Sequence, residues 1–346
     1  MACGKNGGEE MSTIIPKDQM TEEDIKLNFI TPALVGRGWQ NKITMETKVQ
    51  FTDGKVNIKG NIVSREPAKK ADYILYINAN NPIAIVEAKD NNHTVSFGLQ
   101  QAMTYAQMMD IPFAYSSNGD AFYEHDFLTG LEQQIPLDQF PTYDELCARY
   151  ASEANAGTGL TPAQKAIIKQ PYYTSATTYA PRYYQRIAIN RSVDAIAKGQ
   201  NRLLLVMATG TGKTYTAFQI VYRLLKAGLV KKVLYLADRN ILVDQSIQQD
   251  FAPLEKTIHK INFAKDDPNT ITSHEVFFSL YQQLTDREDE KDEEDTVSRL
   301  TQLFNPDFFD LVIVDECHRG SAKKDSNWRK ILEYFNSAAQ IGMTAG

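Results

Sequence analysis

The chain has 346 residues, of which 42% are hydrophobic, with 37 Lys and Arg against 43 Asp and Glu. That length suits two domains, and the composition is that of a globular protein. No apolar run approaches the ~18 residues of a membrane span, and the first residues lack the apolar core of a signal peptide.

Cys3, Cys147 and Cys317 lie too far apart for a metal-ligand pattern and suit a reducing cytoplasm. The net charge of −6 is matched by one run, Asp286 to Asp295, with eight acidic and two basic residues. Such a run reads as a solvated loop. The remainder is neutral, which leaves room for a local basic groove and neither supports nor opposes nucleic-acid binding.

In chain order, residues 1–20 read as a loose tail. Thr21 is an N-cap with Asp24 three residues on. The helix it opens carries Glu22 and apolar Ile25, Phe29, Ile30 and Leu34, and ends at Gly36-Arg37-Gly38-Trp39. Ile43 to Ile62 alternates and turns at Asp53-Gly54, as a hairpin does. Two apolar runs follow, Asp72 to Ile77 and Ile83 to Lys89, separated by the turn Asn80-Asn81-Pro82.

Glu87 and Lys89 are two apart, so a strand points both to one face. A hairpin brings Asp72 beside them. Two carboxylates and an ammonium at a sheet end form a hard-cation site with a charge stabiliser. Hydrolysis of a phosphodiester with Mg²⁺ requires those parts. Taken alone, the three residues also fit a surface hairpin with an ion pair. Phe97 to Met109 is helical and sets Gln101 and Tyr105 on one face. Phe113 to Tyr115 is a short strand.

Residues 151–180 read as a linker with a short helical piece, Thr161 to Lys169. Beyond Gln185, the apolar run Leu203 to Val206 ends in Thr209-Gly210-Thr211-Gly212-Lys213-Thr214 and a helical pattern. Backbone N–H groups of such a loop cradle a polyphosphate at a helix N-terminus. Lys213 would reach the outer phosphates of ATP, and Thr214 would hold Mg²⁺. Met207 stands where the strict pattern begins with Gly. Val233 to Ala237 is a buried strand followed by Asp238-Arg239-Asn240, and Glu275 to Leu284 reads as helical. Leu311 to Val314 is a central parallel strand. Asp315 at its end would bind the ATP-bound Mg²⁺, and Glu316 would orient the attacking water. Ala339 to Met343 is the last strand.

Asp72, Glu87-Ala88-Lys89 and Gln101-Ala102-Met103-Thr104-Tyr105 resemble a PD-(D/E)xK nuclease core with its Q-x-x-x-Y extension, although Ala71 replaces the Pro. In the R subunit of type I restriction enzymes that core precedes a superfamily 2 motor, and the Glu22 helix is similar to that family's opening helix. The resemblance implies a restriction-endonuclease-like α/β domain over 21–150, then a RecA-like parallel-sheet domain over 181–346. It implies catalytic roles for Glu22, Asp72, Glu87 and Lys89, with Asp72 and Glu87 as metal ligands. Gln101 and Tyr105 would position DNA or order the metal site. It also implies adenine recognition by Gln185, a DNA-backbone contact by Arg239, and coupling of nucleotide state to DNA by His318. Double-stranded DNA would be the substrate, and methyltransferase and specificity subunits the partners. With one RecA-like half, the chain is expected to bind ATP weakly and hydrolyse it little. Two other readings stay open: a stand-alone superfamily 2 helicase whose first module only binds DNA, and a docking role for residues 21–150.

Overall fold

The computed structural model describes residues 15–47, 56–59, 62–65, 70–176, 178–237, 249–262, 265–267, 271–280, 300–317 and 327–345. They divide into two compact units between Leu160 and Thr161.

The first unit opens with α1, residues 22–39. Thr21 and Asp24 cap it reciprocally. The helix widens into π-turns at Lys26–Ile30 and again at Val35–Trp39, where Gly38 takes φ +87 and ends it. Its buried stripe is Ile25, Ile30, Leu34 and Trp39.

The strands are β1 (Ile43–Thr47), β2 (Val56–Lys59), β3 (Ile62–Arg65), β4 (Ala71–Asn78), β5 (Asn81–Ala88), β6 (Phe113–Ser117), β7 (Ala121–Asp126) and β8 (Glu132–Pro136), with α2 (Leu99–Met109) between β5 and β6. Six form one sheet in the order β1-β4-β5-β6-β7-β8. β5 and β6 run parallel, joined across α2. Strand side chains alternate, so this sheet has two apolar faces. Tyr73, Leu75 and Val86 pack with α1, whereas Ile74 and Ile85 pack with Ala102, Tyr105 and Ala106 of α2.

The hairpin expected from Ile43 to Ile62 turns within residues 48–55, which lie outside the described residues. β1 pairs antiparallel with β4, and β2 pairs with β3. β4 is apolar on both faces and has two edges to satisfy; β5 takes one and β1 the other. The Asp53-Gly54 turn lies outside the described residues.

The second unit holds α4 (Pro162–Lys169), α5 (Tyr183–Ala197), β9 (Arg202–Val206), α6 (Lys213–Lys226), β10 (Val233–Ala237), β11 (Ile258–Lys260), β12 (Val276–Leu280), β13 (Leu311–Val314), α7 (Asn327–Tyr334) and β14 (Ala339–Thr344); α3 is Tyr143–Glu153 of the first unit. Its sheet runs β11-β12-β10-β13-β14-β9, every pairing parallel. Helices cover both faces of such a sheet, so its inner strands are apolar throughout. β10 and β13 are buried at every position.

β12 corrects the helical reading of Glu275 to Leu284 over Val276–Leu280; residues 281–284 lie outside the described residues. Val276, Phe277, Leu280 and Leu284 mimic helical spacing, yet Val276, Phe277 and Phe278 are fully buried between neighbouring strands. β9 is an edge strand among the described residues, with Leu204 and Val206 exposed.

The expected linker is largely absorbed into this unit. Ile167 and Tyr172 join its core. Buried Arg223 on α6 donates to the carbonyls of Ile167 (2.9 Å) and Gln170 (3.1 Å) and to Asn190 Oδ1 (2.7 Å). Gln219, one turn earlier, bonds both the N–H and the C=O of Tyr173. No described helix is long and apolar enough to cross a membrane.

Candidate active sites

The first site lies where β4, β5, α1 and α2 meet. Asp72 is the second residue of β4 and Glu87 is near the end of β5. They belong to neighbouring antiparallel strands whose register pairs Tyr73 with Val86, so the two carboxylates come together. Asp72 Oδ2 accepts the Ala88 N–H at 2.8 Å. Glu87 is 1% exposed. Its Oε2 accepts from Gln101 Nε2 at 2.8 Å, and the same amide lies 3.3 Å from the Tyr105 hydroxyl. Spacing of four on α2 thus becomes a chain of contacts ending on a strand carboxylate. Lys89 Nζ donates to Ala88 O at 2.7 Å and pairs with Glu22 Oε2 at 3.5 Å. All six residues expected from the sequence therefore converge.

Burial, and after it the Asp72 charge, pushes the Glu87 carboxyl up to about 9. A buried acid beside a second carboxylate stays neutral unless a cation arrives. Burial also raises Glu22, with Asp72 adding to the rise and Lys89 and Lys26 opposing it. Burial raises Tyr105, with Glu87 next.

The residue that the sequence reading missed is Lys26. It is 1% exposed, and its ammonium contacts Glu23 Oε1 (2.6 Å), Glu46 Oε1 (2.8 Å) and Asp72 Oδ1 (3.0 Å). Burial works against its charge, but these three carboxylates hold its pKa above the ordinary lysine range. Its one local signal is Glu23, three residues earlier on the helix.

Glu87 Oε1 is buried and has no hydrogen-bond partner. With the Asp72 carboxylate it makes an all-oxygen donor pair. Among the described residues no group of three or more His, Cys, Asp or Glu is arranged to hold a metal. Two carboxylates fit Mg²⁺, which keeps several waters and binds one or two carboxylates. Gly98, just before α2, closes the site from behind. A Cβ there would stand 3.0 Å from Ser116 Oγ and 3.4 Å from both Glu87 Cβ and Lys89 Cγ.

The second site lies at the C-terminal ends of β9 and β13. Thr209 and Gly210 form a turn, and Gly210 and Gly212 take φ +76 and +83. Gly212 is the N-cap of α6, so Lys213 and Thr214 are its first two residues. The Thr211 carbonyl accepts from Gln185 Nε2 (2.9 Å) and Tyr184 OH (3.2 Å). Gln185 Oε1 meanwhile accepts the Arg182 N–H at 2.8 Å. One end of the amide thus holds the loop and the other caps α5. Lys213 Nζ pairs with Glu316 Oε1 at 3.1 Å. Asp315 accepts from Tyr235 OH (3.2 Å) and from the Glu316 N–H (3.0 Å). Burial, then Glu316, raises the Asp315 carboxyl. Glu316 takes φ +51, a strained position for a side chain with a Cβ. Arg239 and His318 lie outside the described residues. A cavity of about 600 Å³ runs along β9, lined by Tyr184, Leu204, Val206 and Thr211 among others. Lys213, Asp315 and Glu316 do not line it, so it is not the phosphate site.

Residues 19–133 match the family model of the type I restriction enzyme R protein N terminus, and residues 178–346 match that of the type III restriction enzyme res subunit. The endonuclease subunit of the type I restriction enzyme EcoAI from Escherichia coli is 44% identical over 330 residues. This chain is a homologue of type I restriction-enzyme R subunits. The EcoAI alignment covers 94% of this chain and 39% of that subunit. The EcoKI endonuclease subunit from Escherichia coli K12 is 27% identical, over 80% of this chain and 28% of its own length. The chain thus spans well under half of the curated relatives it matches. An HsdR-subunit fragment from a type I enzyme of Vibrio vulnificus YJ016 superposes with a TM-score of 0.74 at 38% identity. That match covers 94% of this chain and 55% of the other. It agrees with the mixed α/β first unit followed by a parallel-sheet, helicase-like unit.

Proposed function

We propose that this R-subunit homologue supplies the DNA-cleaving and ATP-binding portion of a type I restriction enzyme. It acts on double-stranded DNA together with methyltransferase and specificity subunits. The carrying observation is the convergence of Asp72, Glu87 and Lys89 with Gln101 and Tyr105 from another element. Asp72 and Glu87 would hold Mg²⁺. When bound, that ion polarises the phosphodiester and lowers the pKa of its water. Lys89 stabilises the negative charge that develops on the phosphate. Glu22 accepts the Lys89 ammonium and so fixes where its charge sits. Gln101, steadied by Tyr105, keeps Glu87 oriented toward Asp72.

In the second unit the loop Thr209–Thr214 cradles ATP, Gln185 reads adenine, and Thr214 with Asp315 holds the nucleotide's Mg²⁺. Glu316 orients water once the phosphates draw Lys213 away from it. Arg239 contacts the DNA backbone, and His318 links nucleotide state to DNA. In the whole subunit this unit drives translocation.

The test replaces Lys89 with Ala in the complete enzyme and measures plasmid cleavage and DNA-stimulated ATPase together. Cleavage is lost and ATPase is retained. Cleavage that persisted with an unchanged ATPase would overturn the nuclease assignment.

A further inference from the structure

Lys26 has no role in the reaction described above, yet it is the most completely buried cation at the first site, at 1% exposure. A lysine is almost never buried unless paired. Here three carboxylate oxygens, from Glu23, Glu46 and Asp72, take the three donors of one ammonium. Glu23 and Glu46 are largely solvent-facing and would suffice to neutralise a surface lysine. The third partner is Asp72, whose other oxygen is held by the Ala88 N–H. The helix opens into a π-turn beginning at Lys26 itself, and π-bulges recur at functional sites.

We propose that Lys26 is a positioning residue that occupies the charge balance of the divalent-cation site, so that the cation binds tightly only together with a phosphodiester. This rests on the nuclease reading above. With Lys26 in place, an ion approaching Asp72 meets an ammonium 3.0 Å from the oxygen it must bind. The site's acceptor charge is already matched, and a bare cation gains little. A DNA phosphate brings the missing negative charge. Metal loading is thereby linked to substrate, and the linkage is reciprocal.

The experiment is calorimetric titration of Mn²⁺ into the 346-residue chain without DNA, in an Asp315→Asn background that silences the nucleotide-side ligand. Lys26→Met tightens Mn²⁺ binding roughly tenfold or more, as expected for removing one nearby like charge at a partly screened site. Lys26→Gln, which keeps a donor toward Asp72, tightens it likewise and serves if Met does not fold. Lys26→Arg retains the charge and the wild-type affinity. General damage to the site weakens binding, so tightening separates charge balance from mere structure. Neutral variants that bind Mn²⁺ no better than wild type would overturn the proposal. Asp72→Asn separates the two readings. If it leaves Mn²⁺ binding intact, the nuclease reading fails; if it abolishes binding while neutral Lys26 variants do not tighten it, only the present inference fails.

Discussion

At the scale of a single residue, Glu87 is the most deeply buried carboxylate of the first site. Its carboxyl is raised to about 9 in the folded chain from an ordinary value of 4.5. The folded state therefore binds more protons than the unfolded state between these values. The stabilisation is complete below about 4.5 and is lost as pH rises toward about 9. Denaturant unfolding of the metal-free chain should show stability falling across that window, and Glu87→Gln should flatten the fall. The same proton must leave when a cation binds. Titration of Mn²⁺ at neutral pH in buffers of different ionisation enthalpy should register close to one proton released, and none with Glu87→Gln. The Glu87–Lys89 pair was legible because a strand repeats every two residues. Lys26 was not: a lysine on a helix ordinarily faces water, and its partners Glu46 and Asp72 lie 20 and 46 residues away.

At the scale of elements, the loop between β9 and α6 depends on Gly212. Its φ of +83 favours glycine, and an added Cβ would run into Gln185 Nε2. Gly212→Ala should weaken binding of a fluorescent ATP analogue by roughly tenfold, in keeping with the ~1–3 kcal/mol of a forced backbone position. A wild-type affinity would show that the loop relaxes freely. Strand, loop and helix were all readable here, since turn glycines and an apolar run leave local marks. β12 was not, because its apolar residues also fit a helical period and only the neighbouring strands decide between the two. The pairing of β1 with β4 is likewise set by distant residues, which a local alternation cannot report.

For the whole molecule, two units carry two independent ligand responses. ATP should raise the melting temperature of the second unit and Mn²⁺ that of the first. Each ligand contributes about 2.7 kcal/mol at a hundredfold excess over its Kd. Lys213→Ala should abolish the ATP response and spare the Mn²⁺ response, followed by calorimetry. Loss of both would show that the sites do not act separately. The two-domain plan was evident from motif order. That residues 161–173 join the second unit was not, because it depends on buried Arg223 and Gln219, which read in sequence as surface positions of a helix.

That fastening has a mechanical meaning. α6 begins at Lys213, the phosphate-facing end, and grips the incoming main chain at Gln219 and Arg223. Ten residues of helix set the two ends about 15 Å apart. Tension entering at residue 161 therefore meets α5 at Asp194 and then α6 through its side-chain amide and guanidinium bonds to residues 167–173. That helix is a strut, with the proposed nucleotide loop at one end and the incoming chain fastened near the other.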